Sequence, residues 1–423
     1  MRNVKDFGAI GDGQTNDTAA IQRAIDAGGM VCLPPGTYLS GSLFLKGNGG
    51  LHLEAGATLL ASPNLEDYRQ PEDCPQSWSS PSEFTLGRHL INAIGQQNVT
   101  LAGDGCINGN REAFLHEMDP EIRIWFKRNT RPGQMLFLCN CENVSLRDLK
   151  LREAPYWHSH LFGCRNVRIH GLDIRGDFRV ANNDGIDLDC CEDVTVSDCL
   201  IQTGDDCLAI RCDCDNLGRA QPCRRLAISN CVLESNYANA FRIGVGDGVV
   251  EQCLFSQCLI KDTRTGICIV THYDEQNVGG KLRNLEFRQM HCECERLFNI
   301  KLDNVEGWRR TSRGCIENMV FSDIRATVEL TSQIVGNSTG SVRNLTFRNL
   351  QLQYEGQGAA PNVNAEGGWG HASTDAGFEI SLAKAIAFFN CNIHFKDIPG
   401  WTTAIRADHP EEVTRTLCTS NRP

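Results

Sequence analysis

The chain has 423 residues, is 41% hydrophobic and 22% charged, and carries a formal net charge of −11. This is the composition of a folded globular protein. The negative charge argues against nucleic acid as the main partner, and no apolar run is long enough to cross a bilayer.

The first element is "NDTAAIQRAIDAGG" (16–29), where Ala20, Ile21 and Ile25 form a helical stripe behind Asn16 or Asp17 as N-cap, and Gly28-Gly29 stops it. A helix over about residues 17–27, in a cap over about 1–45, would close one end of the fold. "VCLPPGTYLSG" (31–41) reads as strand, tight turn, strand, and the bulky segment at 66–90 would wall one end of a cleft.

From residue 98 one pattern recurs: "NVTLAGDGCI" (98–107), "NVSLRDLKL" (143–151), "NVRIHGLDI" (166–174), "DVTVSDCLI" (193–201), "RLAISNCVL" (225–233), "NLEFRQMHC" (284–292), "NMVFSDIRA" (318–326) and "NLTFRNLQL" (344–352). A short polar residue, often Asn, opens most of them, and apolar and polar residues then alternate, which is strand periodicity. Val99, Val144, Val167, Val194 and Leu226 are spaced by 45, 23, 27 and 32 residues, with room for about two units in the longest gap. Such a period means a solenoid. Stacked strands that bury one face make an all-β, single-stranded right-handed parallel β-helix. One such domain is expected over 1–423, with an irregular tail over about 400–423.

The 22 cysteines are unusual. "CDC" (212–214) and "CEC" (292–294) lack paired CxxC spacing, so no metal site is assigned. Cys199 and Cys231 share one phase of the repeat, and Cys253 is expected to share it, as small apolar residues stacked in a core ladder. No basic and then apolar leader follows Met1, so the expected location is cytoplasmic, with secretion the alternative if a leader has been removed. Most thiols are then expected to stay reduced.

The acidic stretch is "NNDGIDLDCCEDVTVSDCLIQTGDDCLAIRC" (182–212). Asp205 and Asp206 follow Asp184 by 21 and 22 residues, about one coil, so stacking should bring all three carboxylates together. Adjacent strand residues point to opposite faces, so the chain must bend at Gly204 for both Asp205 and Asp206 to reach one cleft. Asp187 and Asp189 share a parity and read as hydrogen-bonding or solvated residues.

"VKDFGAIGDGQTNDTAAIQRAIDAGGMVCLPPGTYLSGSLFLKGNGGLHLEAGATLLAS", "RPGQMLFLCNCENVSLRDLKLREAPYWHSHLFGCRNVRIHGLDI" and the acidic stretch together resemble glycoside hydrolase family 28, the polygalacturonase-like enzymes on the pectin-lyase-like solenoid. The resemblance covers most of residues 4–271. It implies an inverting hydrolase acting on an oligosaccharide or polysaccharide, with no cofactor, and no nucleic-acid or membrane partner. Its Asn-x-Asp-Gly motif falls on Asn182-Asn183-Asp184-Gly185 and its Asp-Asp pair on Asp205-Asp206. Asp205 is then the general acid, while Asp184 and Asp206 hold and activate water. Inversion needs such a protonated donor opposite a water-activating carboxylate. In "APYWHSHLFGC" (154–164), Tyr156, Trp157, His158 and His160 fall near the cleft, with Trp157 and His160 as sugar contacts.

Two coils depart from the family pattern. Ala238-Asn239-Ala240 stands where Gly-His-Gly is expected, so Asn239 replaces a supporting His, and Arg242 is new in that strand. Cys268 and Val270 occupy the positions of two carboxylate-holding cations, Arg and Lys. Neutral side chains cannot neutralise a uronate, so the sugar is neutral, differently placed, or held by other cations among Arg242, Arg264, His272 and Lys301. Two alternatives remain: a uronate lyase or epimerase, in which the aspartates might take calcium, or a non-catalytic carbohydrate-binding β-helix.

Overall fold

Every recurring segment forms strand, and the residue that opens it turns the corner. The computed structural model describes residues 1–77, 85–115, 117, 130–272, 277–304, 309–356, 373–397 and 400–423. By compactness these divide into two units, Met1–Cys207 with Asn216–Gly218, and Leu208–Asp215 with Arg219–Pro423.

In the first unit each regular coil supplies three short strands, each paired in parallel with its counterpart in the next coil. One row is Ile91–Ile94, Leu136–Cys139, Ser159–Phe162 and Ile186–Asp189. The next is Gln97–Ala102, Glu142–Arg147, Arg165–His170 and Glu192–Ser197, with Val99, Val144, Val167 and Val194 directly in register. These valines are buried, as are Leu101, Leu146, Ile169 and Val196 two residues on, so the period-two pattern fills the core. Because Val99 and Val144 are register partners, the 45-residue gap holds one coil rather than two. The excess lies in the connection after Cys106–Asn108, and residue 116 and residues 118–129 of it fall outside the described residues.

Asn98, Asn143 and Asn166 adopt φ of 57°, 58° and 54°. Left-handed backbone costs an ordinary residue roughly 1–2 kcal/mol, and Asn tolerates it best among residues with a Cβ. Their amides also stack: Asn98 donates to Asn48 at 2.6 Å, Asn143 to Asn98 at 3.1 Å and Asn166 to Asn143 at 3.3 Å. This explains why asparagine opens the repeats.

The N-terminal helix spans Thr18–Asp26 and buries Ala20, Ile21, Ala24 and Ile25, close to expectation. Asp17 stands at its N-cap position but makes no side-chain cap bond. Its carboxylate instead accepts from the Ile10 and Gly11 amides at 2.7 and 2.9 Å, which ties the preceding loop to the helix.

The second unit is again parallel, with longer continuous strands: Leu259–His272, Lys281–Asp303 and Cys315–Val328. Phe255, Phe287, Phe321, Phe347 and Phe388 stack along its core with centroids 4.4–5.3 Å apart. The expected irregular tail is a regular coil: Thr403–Ala407, Val413–Thr416 and Thr419–Ser420 each pair in parallel with a preceding strand. Its polar composition hid the alternation.

All 22 cysteines are thiols, and all but Cys106, Cys214, Cys315 and Cys418 are buried. Burial pushes the Cys253 and Cys294 thiols up to about 12. A ladder exists, but Cys253 is not in the phase of Cys231. It lies opposite Leu285, whereas Cys258 is the neighbour of Cys231. In the first unit Cys141, Cys164 and Cys191 form a second ladder.

Candidate active site

In the first unit, oxygens of Asp184, Asp205 and Asp206 all lie within 4.8 Å of one another. None of the three is in a strand: Asp184 ends the connection into Ile186–Asp189, and the pair follows Leu200–Thr203. The Gly185 and Ile186 amides donate to the Asp206 and Cys207 carbonyls at 2.8 and 3.0 Å. One coil step therefore superposes residues 21 and 22 apart, as the spacing predicts. Asp184 and Asp206 are 5% and 9% exposed, and Asp205 is half-buried.

Glycines make this convergence possible by supplying room. A Cβ on Gly185 would come within 2.5 Å of the Cys207 carbonyl oxygen, and one on Gly204 within 2.6 Å of the Val180 oxygen. Asn182, at φ 55°, donates its amide to Asp205 Oδ2 at 3.2 Å, and its own Oδ1 accepts from Arg131 Nη2 at 3.1 Å. Asn183 is fully buried and staples two turns by donating to the Ala154 and Tyr156 carbonyls at 2.8 and 3.1 Å. His158 reaches the Asp184 carbonyl with its amide at 2.8 Å and with Nδ1 at 2.9 Å. Burial lowers its pKa to about 4, so the ring is neutral near pH 7, with its proton on Nδ1 facing that carbonyl.

Arg131 is the residue that sequence reasoning missed. It is fully buried, donates to the Pro155 and Ala181 carbonyls at 2.7 and 2.9 Å, and lies 4.6 Å over the Tyr156 ring. No local pattern around "RPG" marks it, because its partners lie 24 to 51 residues away.

The expected sugar contacts of this unit are placed differently. Trp157 and His160 are each 4% exposed. Trp157 stacks on Tyr156 at 5.3 Å and meets His160 edge-on. His160 also packs on Phe137 and Phe162, and its Nε2 lies 3.8 Å from Asp189. These rings are buried in the coil before Asp184 and present no open face to a sugar. Asp187 and Asp189 are not solvated either: both are buried, in register with His160 and Phe162.

The other candidates belong to the second unit. Asn239 opens Asn239–Val245 and is half-buried opposite Thr265. Arg242 is 3% exposed, donates to the Ile243 and Val270 carbonyls at 2.8 and 3.3 Å, and lies in register with Cys268. Cys268 in turn faces Asn299, whose Nδ2 contacts its sulfur at 3.6 Å, and Val270 faces Lys301. His272 is fully buried with Nδ1 at 2.7 Å from Asp303, whose carboxylate also accepts from the Ser312 amide and the Asn337 side chain. That network braces a turn and leaves His272 no surface for substrate. Arg264 donates to the Tyr237 carbonyl at 3.2 Å.

The family profile of glycosyl hydrolases family 28 matches residues 80–374. The chain belongs to glycosyl hydrolase family 28. A profile of the rhamnogalacturonase A/epimerase, pectate lyase-like group matches residues 1–49. Among family relatives, a probable polygalacturonase of Vitis vinifera is 28% identical over 308 residues, which are 68% of this chain and 60% of the relative. An exo-poly-alpha-D-galacturonosidase of Dickeya chrysanthemi is 26% identical over 48% of this chain and 40% of its own length. The chain thus matches less than two thirds of either relative. The family 28 exopolygalacturonase of Yersinia enterocolitica superposes with a TM-score of 0.71 at 22% identity, covering 98% of this chain and 78% of that one. The exopolygalacturonase of Thermotoga maritima gives 0.69 at 22% identity, covering 84% and 86%. The fold is the right-handed parallel β-helix of this family. Among the described residues no helix is long and apolar enough to cross a membrane.

Proposed function

We propose that the protein is a glycoside hydrolase that cleaves a pectin-related or other plant or microbial oligosaccharide with inversion. Asp205 is the general acid, and Asp184 and Asp206 hold and activate the water. The observation that carries this reading is the crowding of three carboxylates to within 4.8 Å in a family 28 chain. Carboxylates this close repel one another when ionised, so a proton retained on one is the favoured state, and a general acid needs that proton. Asp205 is the most open of the three, which suits a group that must reach the leaving oxygen. The Asn182 amide favours the anion left after Asp205 gives its proton away.

Cys268 and Val270, where the resemblance puts Arg and Lys, argue against a uronate gripped by those two residues. The sugar is neutral or held elsewhere. The exo-acting names among the relatives and structural neighbours favour trimming from a chain end, which suits oligosaccharides taken up into a cytoplasm.

One observation favours a second reading. One oxygen from each of the three carboxylates lies within 4.8 Å of the others, which is nearer the roughly 5–5.5 Å of retaining pairs than the roughly 6.5–9.5 Å of inverting pairs. The third carboxylate reconciles the spacing with inversion, since two can share a water while the third donates. The same oxygens are also a fit for a divalent cation. The deciding experiment is a screen of pectic and neutral oligosaccharides with wild type and Asp205→Asn, reading the first anomer by NMR. An inverted anomer supports the proposal, and a retained one replaces it with a covalent mechanism. Products absorbing in the ultraviolet would mean a lyase. No turnover of any substrate would mean a binding protein.

A further inference from the structure

Arg131 bears on the aspartates through one peptide group. A residue before proline is biased to extended backbone, and Arg131 precedes Pro132. Its carbonyl accepts from the Leu86 amide at 3.2 Å, so the chain is pinned where the side chain leaves it. That side chain is fully buried, with its guanidinium 4.6 Å over the Tyr156 ring. A charge is buried only where hydrogen bonds meet it. Nη1 donates to the Pro155 and Ala181 carbonyls at 2.7 and 2.9 Å, and Nη2 to Asn182 Oδ1 at 3.1 Å.

The Ala181 carbonyl and the Asn182 amide are the two ends of one peptide group. That group is planar and trans, so its C=O and N–H point in opposite directions. Arg131 holds the oxygen end, and the N–H end donates to Asp205 Oδ2 at 3.2 Å. Turning the plane away from Arg131 also turns its N–H away from Asp205. Asn182 stands at φ 55°, in the left-handed region, and its side chain is held by the same guanidinium. The other oxygen of the carboxyl, Oδ1, accepts from the Asp206 amide at 3.0 Å. Two amides therefore fix the rotation of the Asp205 carboxyl, and Arg131 sets one of them.

We propose that Arg131 is a positioning residue: by gripping the Ala181–Asn182 peptide it fixes the amide that orients the Asp205 carboxyl for reaction. This role rests on the hydrolase reading above, in which Asp205 gives its proton to the leaving oxygen. A carboxyl turned to the wrong angle still carries the proton but transfers it poorly. Such errors of placement reduce rates by up to about 100-fold. Orienting the donor matters in the transition state and not in sugar binding, so Arg131 sets kcat rather than KM.

The test measures kcat and KM for Arg131→Met, Arg131→Lys and Asn182→Gly on glycosides with good and poor leaving groups. Asp205→Asn is the reference, and rates are taken per folded protein. Arg131→Met should lower kcat on poor leaving groups by about 10–100-fold, lower it less on good ones, and leave KM little changed. Arg131→Lys keeps the charge without the planar fork and should fall with Met. Asn182→Gly suits the left-handed backbone and removes one of the two holds. Its loss should be smaller, should show the same leaving-group preference, and should add nothing to Arg131→Met. Equal losses on both substrate types, a raised KM at unchanged kcat, additive losses in the double variant, or a Lys variant equal to wild type overturns the proposal. If Arg131→Met does not fold, Asn182→Gly decides: a loss selective for poor leaving groups supports the role, and no selectivity overturns it.

Hydrogen exchange gives a readout without turnover. The Asn182 amide should exchange faster in Arg131→Met and Arg131→Lys, while the amides of Ile186–Asp189 keep wild-type protection. Unchanged exchange at Asn182 overturns the grip. Selective loss in Asp205→Asn with none in the Arg131 variants leaves the hydrolase reading standing and removes only this role. No turnover in the wild type, or equal loss on both substrate types in Asp205→Asn, removes the acid and the role of Arg131 with it.

Discussion

The aspartate turns of the first unit and the Arg242 row of the second differ in how the chain holds polar groups. Asp184, Asp205 and Asp206 sit in connections, where irregular backbone and two close-fitting glycines let three like charges converge. Arg242, Cys268, Asn299 and Gln333 lie in strands, register locks them one behind another, and each is at most 8% exposed. A strand ladder fixes where a side chain points and tends to bury it. A connection frees it to converge with others. Reactive groups are therefore expected at the turns, and changes within the strands are expected to act on stability.

The largest effect should come from Asp205→Asn. Loss of general acid assistance typically costs about 10²–10⁴-fold in rate, and unfolding by denaturant should be unchanged. Substrates with good leaving groups should lose less than poor ones. Asp184→Asn and Asp206→Asn should show no such difference. Equal loss on both substrate types for Asp205→Asn would reassign the acid.

In a strand, Phe321→Ala opens a hole between two stacked rings. Stability measured in denaturant should fall by about 3–5 kcal/mol.

The buried histidines of the first unit make stability fall on the acid side. Burial holds His89 at about 3 and His158 at about 4, below the ordinary 6.5. The unfolded chain therefore binds more protons between those values. The contribution is complete above pH 6.5 and is lost as pH falls from there toward 4 and then 3. Each group adds up to about 1.4 kcal/mol per pH unit in its window. Denaturant midpoints from pH 7 to pH 4 should show the slope, and His158→Asn should lessen it.

Arg242 sharpens the comparison, because it was expected to touch substrate and instead donates to two carbonyls. Arg242→Met should lower stability by about 1–3 kcal/mol and leave KM unaltered. A raised KM at unchanged stability would return Arg242 to the substrate. The smallest effect belongs to an exposed corner: Asn143→Ala should cost about 1–2 kcal/mol for its left-handed backbone, and Asn143→Gly should cost less.

The strands were legible because burial on one face imposes period two on the sequence whatever the neighbours are. The corner residues were legible because left-handed backbone selects Asn. The three aspartates were legible because a coil of 21 or 22 residues converts sequence offset into adjacency. What stayed hidden depends on partners with no fixed offset. The bonds of Arg131 to residues 155, 181 and 182, the enclosure of Trp157 and His160, and the single coil between Val99 and Val144 are not periodic. Cys258 rather than Cys253 stands beside Cys231 because register, not motif spelling, decides which thiols meet. The sequence by itself determined the repeat, its corners and the crowding of carboxylates, since each is a local or one-coil property. Only the tertiary structure decided which aromatic rings, such as Trp157 and Phe162, are enclosed, since exposure is set by every segment that packs against a residue.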